Sequence, residues 1–202
     1  MTAMLQSLNA APLNVMGPDD FLDCRYQLLY RAECSSRYHR RRLAFLNNVD
    51  MLFNLVIVVA GAATFAQLAV GAPGWLARTG AALVTVIALA QIYLRVSAQA
   101  GAHTGWLKRW NVLHKELTLN TSPSESDVRR WVEVSTEIGA ECAGDLRALY
   151  CDCENAAARV MGIPDRQVEI KPWQRAIIHL GTLQSSFPKV PDPSPPLTPS
   201  FF

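Results

Sequence analysis

Residues 49–94 read VDMLFNLVIVVAGAATFAQLAVGAPGWLARTGAALVTVIALAQIYL. Two apolar runs flank a short link. The first, residues 49–70, carries no charge after Asp50; the second, residues 75–94, carries only Arg78. A bilayer core takes roughly 20 mostly apolar helical residues, within a range of about 17 to 25, and both runs fit. The link is Gly71-Ala72-Pro73-Gly74. Its glycines free the backbone for a turn, and its proline lacks the backbone donor that a continuing helix requires. So short a link forces the two helices to be antiparallel neighbours. The expected fold is all-α: a two-helix transmembrane hairpin with long cytoplasmic helical extensions and a further cytoplasmic helix. A buried hairpin in a soluble bundle is the competing reading. Soluble helices normally carry a polar face, whereas the first run offers only Asp50, Asn54, Thr64 and Gln67.

Flanking charge sets the orientation. Arg37, Arg40, Arg41 and Arg42 precede the first run, and Arg95, Lys108 and Arg109 follow the second. The turn side offers only Arg78, placed to snorkel beside the interfacial aromatic Trp75. Positive flanks stay in the cytoplasm, so both termini are expected there, in a bacterial inner membrane. The Arg37–Arg42 cluster also suits anionic lipid headgroups, as well as the plainer role of a solvated helix face.

The chain of 202 residues carries a formal net charge of +2, enough for one domain or for a hairpin plus a small helical body. Four regions are expected: an N-terminal segment (1–18), a helical hairpin domain (19–119), a cytoplasmic helical region (120–186) and a Pro-rich tail (187–202). The first 17 residues lack a basic start and an unbroken apolar stretch, so no signal peptide is expected. Residues 19–48 contain neither Pro nor Gly and read as helix running into the first apolar run. The stretch after Leu94 reads helical to about Leu119, with weak points at Gly101 and Gly105; Trp106 and Trp110 share a face. These extensions are expected to pair, coiled-coil fashion, or to join an oligomer. Ser124 and Asp127 have capping-box spacing, and a long helix is expected over residues 125–161, then a short one from Pro172 to about Leu180. Six prolines in the last sixteen residues point to an extended tail.

No phosphate loop, dinucleotide turn or nucleophile elbow is present, so no enzyme activity and no cofactor are expected. The four histidines are scattered. The five cysteines are odd in number and avoid the link, as suits thiols kept reduced in a cytoplasm. Cys151 and Cys153 lie two apart, about 200° around a helix from each other, and cannot chelate one ion together. They are expected to be buried thiols.

Polar residues within the apolar runs are more informative. Asp50, Asn54, Ile57, Gly61 and Thr64 follow a 4-3-4-3 spacing; Ala81, Thr85, Ala88, Gln91 and Arg95 form a comparable stripe. Small residues permit close helix approach and amides bond across it; alternatively one stripe lines an aqueous pore. Asn54, Gly61, Thr64, Thr85, Gln91 and Arg95 are therefore candidates for pore lining or helix packing. Two helices enclose no channel, so a pore demands a homo-oligomer in the bilayer.

The segments RAECSSRYHRRRLAFLNN (31–48) and LYCDCENAAARVMG (149–162), with the basic-run, hairpin and long-helix layout over residues 21–161, resemble the SLATT superfamily. These are bacterial two-membrane-helix effector domains found beside second-messenger synthases, sensors or reverse transcriptases in antiphage systems. The resemblance implies a pore-forming or membrane-disrupting effector, silent until infection is sensed, with a sensor or synthase as partner. It supplies no active-site residues, and no nucleic-acid partner is expected. A membrane-anchored scaffold whose cytoplasmic helices bind a protein partner, or a phage holin-type lysis protein, are the other readings.

Overall fold

The computed structural model describes residues 18–70, 74–142, 146–163, 167–176 and 178–179. The N-terminal segment, the middle of the link at 71–73 and the Pro-rich tail lie outside the described residues. Every regular element described is a helix: α1 (Pro18–Ala69), α2 (Gly74–Leu94), α3 (Val96–Leu119), α4 (Glu125–Glu141), α5 (Arg147–Val160) and α6 (Pro172–Ala176).

α1 is 52 residues long. Pro18 opens it, where a missing N–H costs nothing, and Asp19 and Asp20 in the first turn oppose the helix dipole's positive end. The extension and the first apolar run are one continuous helix, as their lack of Pro and Gly suggests. α2 begins at Gly74 and ends at Leu94. The helix is interrupted at Arg95, whose φ of 48° is left-handed, and not at Gly101 or Gly105, which lie inside α3. A side chain at positive φ costs about 1 kcal/mol or more. The Gln99 side chain offsets part of it by donating to the Leu94 carbonyl at 2.9 Å.

The expected single helix over residues 125–161 is instead two, α4 and α5. Cys142 and Leu146 take extended backbone angles (ψ 106° and 99°) and mark the break. Gly144 and Asp145 stand in that interval of sequence, both poor helix formers. Since the two helices are separate, Cys142 and Cys153 do not share a helix face. The Ser124–Asp127 capping box is formed, with the Asp127 N–H donating to Ser124 Oγ at 3.3 Å and the Ser124 N–H donating to Asp127 Oδ2 at 3.1 Å. The Ser124 hydroxyl holds the Asp127 carboxyl below its ordinary pKa. The last expected helix is short, Pro172–Ala176.

The chain divides into two compact units, His39–Gly105 and the remainder, Met1–Tyr38 with Trp106–Phe202. In the second of these, the two extensions pair as expected. Cys24, Leu28 and Ala32 of α1 pack with Trp110, Leu113 and Leu117 of α3, and α4 covers them with Val128, Trp131 and Ile138. Arg25 Nε donates to the Leu117 carbonyl at 2.7 Å, capping the end of α3. Arg109 reaches Glu141 at 2.6 Å and Glu137 at 3.2 Å. α5 packs Ala148, Leu149 and Cys153 on Tyr38, and Ala157 and Ala158 on Tyr30 and Cys34. Buried Asn155 bonds both backbone groups of Val168, at 2.7 and 2.6 Å, pinning the chain after α5.

Trp131 is the largest fully buried side chain described. Trp131→Ala is expected to cost about 3–5 kcal/mol by its lost volume. Ser124→Ala, which removes only a cap, is expected to cost about 1 kcal/mol. Chemical denaturation followed by circular dichroism separates the two effects.

Candidate functional site

The unit His39–Gly105 contains the hairpin. Both of its long helices are long and apolar enough to cross a membrane. Half-buried residues trace the seam: Phe53, Ile57, Ala60 and Thr64 on α1, and Ala77, Gly80, Val84, Ile87 and Gln91 on α2. Their 4-3-4 and 3-4-3-4 spacings are those of helices crossing at a shallow left-handed angle.

Two contacts define the register. A Cβ placed on Gly80 would fall onto Thr64 Oγ1 and close to the Ala60 carbonyl, so glycine lets the backbones meet here. Farther along, Gln91 Nε2 donates to Asn54 Oδ1 at 3.0 Å, and Asn54 Nδ2 donates to Asp50 Oδ2 at 3.2 Å. The stripe read from sequence thus splits. Thr64, Ile57, Ala88 and Gln91 are half-buried, and Asn54 joins the inter-helix hydrogen bond while remaining largely exposed. Gly61, Ala81 and Thr85 face outward, and nothing lies within 4 Å of a Cβ placed on Gly61. Gly80 opposite Ala60 and Thr64 marks the close approach within the seam; the signal available in sequence was the small-x-x-x-small pair Ala60 and Thr64.

The outward hydroxyl of Thr85 donates to the Ala81 carbonyl at 2.9 Å, and that of Thr64 to the Ala60 carbonyl at 2.8 Å. An open groove of about 570 Å³ runs beside Asn47, Asp50, Met51, Asn54, Leu55 and Val58. Asp50 is the only carboxylate between residues 39 and 105. At the base of the unit, Leu46 packs with Val96 and Ala100. There the structure also joins two of the scattered histidines: His39 Nδ1 and His103 Nδ1 lie 2.9 Å apart.

The arginines divide similarly. Arg40, Arg41, Arg78 and Arg95 are exposed along the helix surfaces, and Arg42 is partly covered. Arg42 lies 5.3 Å from the Phe45 ring centre. Arg37, in the other unit, pairs with Glu33. Cys24, Cys34, Cys151 and Cys153 are buried thiols outside any disulfide. Burial pushes the Cys34 thiol up to about 12 and Cys151 to about 11, and raises Cys24. Such thiols stay protonated and poorly nucleophilic. Among the described residues no three His, Cys, Asp or Glu side chains converge as metal ligands.

Comparison with protein-family models, curated proteins and solved structures returns no match. The functional reading therefore rests on this geometry and on the sequence segments 31–48 and 149–162.

The seam makes a discriminating pair of substitutions. Gly80→Leu is expected to lower stability in mixed micelles by about 1–3 kcal/mol through overpacking. Gly61→Leu, with open space around it, is expected to stay within about 0.5 kcal/mol of the parent. Detergent-titrated unfolding measures both.

Proposed function

We propose that this chain is an inner-membrane effector of a bacterial antiphage system, oligomerising through its hairpin to form a pore once infection is sensed. The observation that carries the membrane reading is exposure. None of the most apolar 18-residue stretch of α1 is buried, and only 6% of that of the second candidate span. Met51, Val58, Phe65, Val86, Leu89 and Ile92 are all more than half exposed. A helix from a soluble core would bury such side chains, whereas hydrocarbon solvates them. Both termini would be cytoplasmic, the arginines at residues 40–42 lying at the headgroups.

Support for oligomerisation comes from the outward groove. Asp50 and Asn54 bring polar atoms to a face otherwise made of Met51, Leu55 and Val58, and polar groups in a membrane helix mark contacts or water paths. Gly61 and Thr85 are exposed elsewhere on the hairpin, open to a neighbouring copy or a lumen. The resemblance to the SLATT superfamily supplies the defence context.

A scaffold reading has one observation in its favour. The unit outside the hairpin has packed cores of its own and exposes Trp173 and Tyr26, surfaces a partner protein could use. Inner-membrane potential, read with a voltage-sensitive dye during induced expression and phage challenge, separates the two. The pore reading expects depolarisation that Gly61→Leu weakens at least about tenfold in rate while membrane insertion is unchanged. Preserved potential under both conditions, with the protein in the membrane fraction, favours the scaffold.

A further inference from the structure

The His39–His103 contact is independent of the effector reading. His39, on α1, is 3% exposed, and its ring lies 5.2 Å from that of His103, on α3, tilted by 46°. Two facing nitrogens at 2.9 Å require one proton between them, because two lone pairs or two N–H groups would repel. With both rings neutral, one Nδ1–H donates and the other Nδ1 accepts.

Adding protons undermines this contact in two stages. The first is accommodated on the outward Nε2 of the donating ring, which keeps the Nδ1–H to Nδ1 contact at the expense of a buried positive charge. The second aims two N–H donors and two like charges at each other across the same gap. The facing His103 ring acts on His39, and Arg42 acts on His103. The unit's charged side chains are Arg40, Arg41, Arg42, Arg78, Arg95 and one acid, Asp50. Asp50 stands eleven residues along α1, roughly 16 Å by helix rise. Burial, and then the facing ring for His39 and Arg42 for His103, hold both rings down at about 4, against an ordinary 6.5. The same features disfavour a divalent metal: no third ligand converges among the described residues, and Arg42 would face the ion.

We propose that the His39–His103 pair is an acid-released latch, which ties α1 to α3 at the base of the hairpin while neutral and lets the helices part when both rings take up protons. Depressed ring pKa values mean that the open state binds more protons between pH 6.5 and about 4, so by linkage closure is complete above that window and is lost as pH falls through it. One pH unit below 6.5, each ring favours opening about tenfold, and the pair up to about a hundredfold.

The test uses the full chain in lipid nanodiscs. Hydrogen exchange of residues 39–46 and 96–105 is compared at about pH 7.0 and 5.5 after correction for intrinsic rates. The latch expects the opening equilibrium to rise by about tenfold to a hundredfold at the lower pH, and to be flat in a His39→Gln/His103→Gln variant. Unchanged protection in the parent chain, or equal acid loosening in the variant, overturns it. Should the variant not fold, imidazole NMR of the parent chain decides: two of the four rings titrating well below the ordinary range support the latch, and four ordinary titrations overturn it.

Discussion

The close approach of α1 and α2 at Gly80 and Thr64 is the constraint on which the hairpin's other contacts depend. With so few residues between the helices, positions roughly equidistant from the link must face one another. Glycine at position 80 then lets the backbones meet closely enough for side chains farther down to interact. Asn54 and Gln91 share a hydrogen bond because they lie at matching distances from the link. His39 and His103 meet by the same arithmetic, far from the link. A bulkier seam would separate the helices, and short polar side chains such as Asn54 and Gln91 would no longer span the gap.

The break at Arg95 bears on the same register. An uninterrupted helix from Gly74 to Leu119 would carry the seam's periodicity unchanged into the base of the unit. A left-handed residue there resets the azimuth of α3, so that Val96, Ala100 and His103 turn toward Leu46 and His39. The strain is local and is partly offset by Gln99, which supplies a donor to the Leu94 carbonyl beside the break. An arginine at this position, where glycine would be more comfortable, retains a positive charge at the end of the second apolar run.

Much of this was legible in the sequence, and the misses have physical reasons. The apolar runs, the paired extensions and the capping box rest on local signals: length, absence of breakers, and the reach of one side chain. The break between α4 and α5 was missed because apolar spacing continues across it, although Gly144 and Asp145 in that interval are poor helix formers. At Arg95 nothing in the residue type announces a positive φ, whereas Gly101 and Gly105 look like breakers yet sit comfortably in α3. The candidate stripe was drawn through polar and small residues, but the seam mixes small, apolar and polar positions and leaves Gly61 and Thr85 outside it. The histidine pair was hidden by sequence distance and becomes readable only once the antiparallel register is known.

How the hairpin satisfies its polar groups bears on how a pore-forming chain would stay silent. Thr64 and Thr85 return their hydroxyl protons to their own helices, Gln91 donates to Asn54 across the seam, and Asn54 donates to Asp50. Little hydrogen-bonding demand is left for a second copy, and in hydrocarbon that demand is a large part of what draws helices together. Asp50 is the exception, a lone carboxylate beside an open groove with Asn54 as its hydrogen-bond donor. Among these described residues, a single copy therefore meets most of its polar groups internally, and Asp50 stands at one end of the apolar run. In the effector reading, assembly would begin at that end and would gain little until a change in the hairpin freed Asn54 or Gln91 to pair with another copy.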